Sequence, residues 1–158
     1  MSSETVYLTA DGKRALETEL HDLLTIRRPG VIDRVHDAQA DGDIDDSGSL
    51  EEAKDELAQI DARAREIEHM LRHAEVIPEY TNGSGDGTIH LGSHIVVRDD
   101  TGDELTWVIV GSAEANSRTG KISSESLVGS ALLGKRSGDS VAVHAPAGDM
   151  TYTIVQVS

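Results

Sequence analysis

The chain has no cysteine and no phenylalanine, only 3 prolines, and aromatic residues make up just 3% of its 158 residues. Without cysteine, disulfides and thiolate chemistry are excluded, although this alone does not fix the compartment. With so few rings, a core has to be built from Leu, Ile, Val and Ala. No run approaches the roughly 18 consecutive apolar residues of a membrane span, so no membrane association is expected. Met1 to Ala10 lacks the basic segment and apolar stretch of a secretory signal, and a cytoplasmic protein is the expectation. Positive charge is also scarce. There are 14 Lys and Arg against 29 Asp and Glu, a net charge of −15. Binding to a phosphate backbone draws on clustered Lys and Arg, so general nucleic-acid affinity is not expected. A chain this acidic that works near nucleic acid docks on a protein or uses its acids to hold metal ions. The plainer reading is a surface tuned for solubility or for a salty cytoplasm.

What is present divides into two textures. Residues 1–79 hold 20 acidic and 9 basic side chains, and residues 80–158 hold 9 and 5. From Leu50 the apolar residues Ala53, Leu57, Ile60, Ala64, Ile67, Leu71 and Ala74 follow in alternating steps of three and four. That heptad stripe predicts one side of a coiled coil. Leu16, Leu20, Leu23 and Leu24 begin a partner stripe that Val31, Val35 and Ala38 continue. Pro29 interrupts it. Proline lacks a backbone donor and disfavours helix at Arg28, so a kink or short break is expected there. The joint Asp41-Gly42-Asp43-Ile44-Asp45-Asp46-Ser47-Gly48-Ser49 has two glycines for turning, and Ser49 is placed to cap the second helix. Thr81 to Gly87 reads as a flexible linker. Strand-like runs then follow at His94–Arg98, Leu105–Val110, Ser140–His144 and Thr151–Val157, with one short helix at Ser126–Leu133 closed by Gly134. The expected fold is α+β. An N-terminal antiparallel coiled-coil hairpin (1–79, with an acidic tip at about 41–49) precedes a small, mostly antiparallel sheet with a short helix (80–158).

The joint carries the candidate chemistry. Asp41, Asp43, Asp45 and Asp46 crowd four carboxylates into six residues. Carboxylate oxygens suit Mg²⁺, which keeps several waters and accepts one or two carboxylates from a protein. Such a tip is a weak metal site alone, but it can complete a centre in which another protein holds a first metal. From spacing alone, the simpler reading is a solvated turn whose acids cap its helices.

The order and spacing of several short motifs resemble the GreA/GreB family of bacterial elongation factors, nearly end to end. They are Tyr7-Leu8-Thr9 with Gly12, Leu16 and Glu19-Leu20; Arg27-Arg28-Pro29; Gly42-Asp43-Ile44-Asp45-Asp46; Val108-Ile109-Val110-Gly111 with Glu114-Ala115; Ile122 to Ser126; and Ala131 to Lys135 with Gly138-Asp139. The resemblance implies a coiled-coil hairpin plus a C-terminal domain similar to FK506-binding proteins. It implies bacterial RNA polymerase as partner, with the globular domain docked at the rim of the secondary channel and the hairpin reaching the active site. Asp43 matches the family's tip Asp, and Asp46 falls where its tip Glu stands. These two would help hold a second Mg²⁺ and its attacking water beside the nascent RNA 3′ end, so that a backtracked polymerase cleaves its own transcript. Asp41 and Asp45 are further candidate ligands. The chain would then be no enzyme itself, and a monomer. Arg27 and Arg28 match basic positions that meet RNA or the polymerase, or they flank the proline break in solvent. Ser126 matches a serine at the start of the short helix, where capping is the simpler role.

The tip also departs from the family pattern Gly-Asp-Leu-x-Glu-Asn-Ala-Glu-Tyr. Asp46 replaces Glu, and Ser47-Gly48-Ser49-Leu50 stands where Asn-Ala-Glu-Tyr is expected. A Gre-like inhibitor that occupies the same channel without promoting cleavage is therefore the alternative. A prolyl isomerase is a third reading, but Tyr80, Trp107 and Tyr152 are few rings for such a site. His69 and His73, one helical turn apart, show no third metal ligand.

Overall fold

A computed structural model of the protein describes residues 4–40, 47–78 and 87–158. Asp41, Asp43, Asp45 and Asp46 of the tip, Tyr80, and the linker from Thr81 to Asp86 lie outside the described residues. The chain divides into two compact units, Lys13–His73 and Met1–Gly12 with Ala74–Ser158.

The first unit is the expected antiparallel hairpin. Its leading arm comprises α1 (Ala10–Asp22), a π-helical turn (Leu23–Arg27) and α2 (Arg28–Ala40). Its returning arm is α3 (Ser47–Arg72), about 39 Å long at 1.5 Å per residue. Ion pairs join Glu19 to Arg63, Arg28 to Asp61 and Arg34 to Glu56, so numbering rises on one arm as it falls on the other. Between them lie Leu16, Leu23 and Val31 of the leading arm and Ala53, Ile60, Ala64, Ile67 and Met70 of the returning arm, all buried. Each fully buried Leu or Ile contributes about 1.5–3 kcal/mol. Leu50, Leu57 and Leu71 of the predicted stripe are half-buried. Ala74 lies beyond the helix, and Ser49 is inside the first turn of α3 instead of capping it.

No break occurs at Pro29; the helix widens instead. The Arg28 amide reaches five residues back to the Leu23 carbonyl, and the Thr25 hydroxyl donates to the His21 carbonyl at 2.7 Å. A wider turn draws the Thr25 carbonyl away from the proline ring, which would clash with it in a regular α-helix. It also rotates the stripe, so that Leu23 is buried whereas Leu24, expected beside it, is 41% exposed and Ile26 is 65% exposed.

The second unit joins both chain segments through β1 (Val6–Leu8) and β2 (Ala74–Val76), a parallel pair that periodicity does not reveal in three-residue strands. Its main sheet has the order β5-β4-β3-β7-β6, formed by β3 (His94–Arg98), β4 (Glu104–Val110), β5 (Lys121–Ser123), β6 (Ser140–Ala145) and β7 (Gly148–Val157). All neighbours are antiparallel except β4 and β5. The four predicted strands are present, and β5 is an addition. Helix α4 (Leu127–Leu132) covers a core of Ile89, Ile95, Val97, Ile109, Leu132, Val141, Val143, Tyr152 and Ile154. The β3–β4 turn is set by Asp99. Its carboxylate accepts from the Thr101 hydroxyl and amide at 2.6 and 2.9 Å and from the Asp103 amide at 3.0 Å, while Gly102 takes φ +87°. Those donors, the Thr101 hydroxyl first among them, hold the Asp99 carboxyl below its ordinary range.

Candidate functional site

The two hairpin arms end at Ala40 and begin again at Ser47. The carboxylates of Asp41, Asp43, Asp45 and Asp46 fall between them in sequence and outside the described residues. What the structure supplies is the shaft that carries them. The charged pairs along it are well formed. Arg63 donates from Nε and Nη2 to the two oxygens of Glu19, and from Nη1 to Glu66 at 2.8 Å. The hydrogen bond from Arg63, opposed by burial and aided by its charge and that of Arg27, holds the Glu19 carboxyl below its usual value.

The two arginines named from the sequence part company. Arg28 Nε donates to Asp61 Oδ1 at 2.8 Å, which raises its pKa further, so this side chain braces the hairpin. Arg27, at the end of the π-turn, is exposed beside a shallow depression formed with Ala15, Thr18, Glu19, Asp22 and Leu23. Ser126 is the N-cap of α4. Its Oγ accepts from the Gly129 amide at 3.0 Å and donates to the Ser123 carbonyl at 2.7 Å. Gly129 cannot be enlarged there, since a Cβ would collide with the Ser123 carbonyl oxygen.

Glu114, which the sequence offers only within a short motif, makes contacts that no local pattern reveals. In the β4–β5 connection its side chain is 6% exposed. Its oxygens accept from the Thr9 amide at 3.0 Å, the Thr9 hydroxyl at 2.6 Å and Lys121 Nζ at 3.3 Å. The Thr9 hydroxyl in turn accepts from the Gly12 amide at 3.0 Å, capping α1. Nearby, Gly111 lies against β1. A Cβ on it would stand 2.5 Å from the Tyr7 carbonyl oxygen. No periodicity encodes the contacts of Glu114 with Thr9 and of Gly111 with Tyr7, which join residues about a hundred positions apart.

Beside this anchor is a cavity of about 230 Å³ with Ile77, Val108 and Val110 on its apolar side and His94 and Lys121 among its polar lining. Neither Trp107 nor Tyr152 lines it. The two rings pack edge to face at 5.2 Å, and Tyr152 is buried, which pushes its hydroxyl pKa up. Among the described residues, no group of three or more His, Asp and Glu side chains is placed to hold a metal ion. His69 and His73 do lie together, but His73 Nδ1 is 2.9 Å from the His69 carbonyl oxygen. No described helix is long and apolar enough to cross a membrane.

Comparison with known proteins decides between the readings of this architecture at the family level. Residues 6–76 match the family Transcription elongation factor, N-terminal (GreA/GreB), and residues 84–158 match Transcription elongation factor, GreA/GreB, C-term. The chain belongs to the GreA/GreB family. Transcription elongation factor GreA of Chloroflexus aggregans is 46% identical over 158 residues, 99% of each chain. GreA of Roseiflexus sp. is 44% identical over 158 residues, and GreA of Bacillus anthracis 38% identical over 159, again with 99% of each chain covered. Among solved structures, GreA factor homolog 1 of Thermus thermophilus is 34% identical and covers 98% of this chain and 99% of its own, with a TM-score of 0.44. The N-terminal GreA/GreB match runs from the first residue of β1 to the last of β2, so it takes in the hairpin and the strand pair that brackets it.

Proposed function

We propose that this GreA-type transcription elongation factor acts on bacterial RNA polymerase in the cytoplasm, as a monomer. In this reading it enters the secondary channel with its hairpin and stimulates cleavage of backtracked transcripts by the polymerase's own active site. The observation that carries it is a helix about 39 Å long, preceded in sequence by four aspartates within six residues, in a chain that belongs to the GreA/GreB family. The β-unit docks on the polymerase, and the arm brings Asp43 and Asp46 to the nascent RNA 3′ end. The chain is an accessory factor: it lends carboxylates and carries no reaction alone.

The donor set fits Mg²⁺, a hard cation that accepts one or two protein carboxylates and retains waters. Asp43 and Asp46 hold it in this reading, with Asp41 and Asp45 as further oxygen donors. When bound, Mg²⁺ lowers the charge at the reacting phosphate and activates a water. The chain's own contribution is delivery and orientation. The arm is stiffened by its buried stripe and by the Glu19–Arg63, Arg28–Asp61 and Arg34–Glu56 pairs. Arg27 is placed to meet RNA or a polymerase acid. Arg28 serves the brace to Asp61, and Ser126 the cap of α4, before either serves a partner.

A second reading rests on the tip residues themselves. Asp46 is one methylene shorter than the glutamate of the family pattern, and a misplacement near 1 Å can lower a rate by about 100-fold. A tip so altered would occupy the channel and repress transcription without cleavage. A stalled elongation complex with Mg²⁺ separates the two. Shortened transcripts on adding the factor support cleavage. Slowed extension without short products supports inhibition, and no effect on either rejects both.

A further inference from the structure

We propose that His69 and His73 form a two-histidine chelate for a tetragonal transition-metal dication, Cu²⁺ first and Ni²⁺ second, separate from any Mg²⁺ at the tip. Both residues belong to the Lys13–His73 unit, and the chelate forms whatever the hairpin does on a partner. The spacing is one helical turn. α3 ends at Arg72, yet the His73 amide still donates to the His69 carbonyl at 3.2 Å, so the two side chains leave one face of a continued helix. Histidines four apart on a helix face suit metal binding, because one ion reaches both rings without backbone movement.

The ring geometry fits a shared ion. The centroids lie 4.4 Å apart, with the planes tilted by 42°. Imidazole nitrogens bind a dication at about 2.0–2.1 Å, which sets the metal roughly 3.2 Å from each ring centre. Two rings at a right angle around the ion then have centroids roughly 4.5 Å apart, against roughly 5.2 Å at a tetrahedral angle. The observed separation matches the right angle, which belongs to the tetragonal sites of Cu²⁺ and Ni²⁺. The ligand atom of His73 is set as well. His73 Nδ1 is 2.9 Å from the His69 carbonyl oxygen, and a carbonyl only accepts, so in the neutral ring the proton sits on Nδ1 and Nε2 keeps its lone pair. A ring N–H held by a backbone carbonyl is the usual device that fixes the tautomer and orientation of a metal-bound histidine. Among the described residues, no hydrogen bond reaches His73 Nε2 or the His69 ring.

Access and field agree with this. His69 is exposed and His73 half-buried, so an ion from solvent reaches both. The pair closes the C-terminal end of a 26-residue helix, where the dipole favours a cation, although Arg72 between the two opposes it. Glu66, one turn before His69, is held by Arg63 at 2.8 Å. No group of three or more metal-ligating side chains occurs among the described residues, so waters fill the remaining positions. Two imidazoles and waters suit an exchangeable transition metal, whereas carboxylates suit Mg²⁺. The chain has no cysteine, so no thiolate competes for the ion.

The test titrates the full chain with Cu²⁺ and with Ni²⁺ in excess Mg²⁺, which occupies the carboxylates. His69→Gln, His73→Gln and the double variant are titrated beside it. In the parent, one equivalent of Cu²⁺ is expected to show two nitrogen ligands by electron paramagnetic resonance, with Ni²⁺ binding more weakly at the same place. Each single change should weaken binding about 100-fold, since it turns a chelate into a single contact. A one-nitrogen spectrum in the parent, or no saturable binding, overturns the chelate without any variant. Affinity that survives the double change also overturns it and places the ion on another of the seven histidines. Affinity lost in only one of the single variants marks a lone histidine and overturns it too.

Discussion

Arg63 grips both carboxylate oxygens of Glu19, with Nε on Oε1 at 2.7 Å and Nη2 on Oε2 at 2.9 Å, and so ties the middle of α3 to α1. This bidentate geometry matches a planar guanidinium to a planar carboxylate and sets register along the hairpin as well as attraction. The apolar stripe alone leaves that register loosely set, because Ala53 and Ala64 offer shallow surfaces that can slide.

The first prediction is a pH-dependent contribution from this pair. Hydrogen bonding from Arg63 holds the folded Glu19 carboxyl below the ordinary value of 4.5. A depressed folded pKa gives stability that is present above the unfolded pKa and lost as pH falls through the folded one. Both side chains are more than a third exposed, so solvent screening limits the effect to about 0.5–1 kcal/mol. Urea midpoints at pH 7 should therefore fall in Arg63→Met relative to the parent, and the difference should shrink as pH falls below the ordinary value of 4.5 and through the folded pKa beneath it. A difference that persists undiminished at low pH would assign the effect to packing of the arginine stem.

Ser126 gives a second. Replacing it with Ala removes the acceptor for the Gly129 amide and the donor to the Ser123 carbonyl, and should destabilise the β-unit by about 1 kcal/mol. Ser126→Asp restores an acceptor suited to a helix start and should recover most of the loss. Thermal unfolding of both variants checks the cap, and polymerase binding measured beside it checks for contact. If Ser126→Asp is as stable as the parent yet binds poorly, the hydroxyl serves the partner too.

The hairpin was legible because its signal is long. Seven apolar positions from Leu50 to Leu71 repeat with one period, and local propensity and packing agree over α3. The four longer strands were legible for a related reason: alternating burial, as in Ser140–Ala145, leaves a period-two trace. The parallel pair of β1 and β2 was not, since three residues show no period and their pairing spans the whole hairpin. Glu114 was hidden for the same reason. Its partners Thr9 and Gly12 are fixed by the tertiary fold, and nothing local distinguishes it from a solvated glutamate in a turn. At Pro29 the position of the irregularity was legible, but its form was not. A proline excludes the regular helix, whereas the choice between a break and a wider turn depends on whether the flanking stripe can rotate and stay buried, as Leu23 does.

A third prediction follows from that turn. Pro29→Ala returns an amide to the leading arm and removes the ring that crowds the Thr25 carbonyl. The π-helical turn already relieves much of the clash, so the expected gain is about 1 kcal/mol, less than the roughly 3 kcal/mol of an unrelieved interior proline. Thermal unfolding measures it, and amide exchange across residues 23–29 should slow. A loss of stability would mean that the wide turn, with Leu23 turned inward, is the better-packed state and that Pro29 enforces it.

The last prediction concerns the tip and separates delivery from chemistry. Under the proposed function, Asp43→Ala and Asp46→Ala each remove a ligand, while the shaft's pairs Glu19–Arg63, Arg28–Asp61 and Arg34–Glu56 keep their residues. Both should abolish the effect on stalled complexes while polymerase affinity changes little. Asp46→Glu is the more telling change, because it restores the longer carboxylate of the family pattern at residue 46. If the native tip already promotes cleavage, Asp46→Glu should alter the rate by displacing a well-placed oxygen by about one methylene, up to about 100-fold. If the native tip represses instead, Asp46→Glu should produce short transcripts that the parent does not. Transcript lengths from one stalled complex, read for the parent and the three variants, decide the matter. Loss of polymerase binding in the alanine variants would reassign the aspartates to attachment.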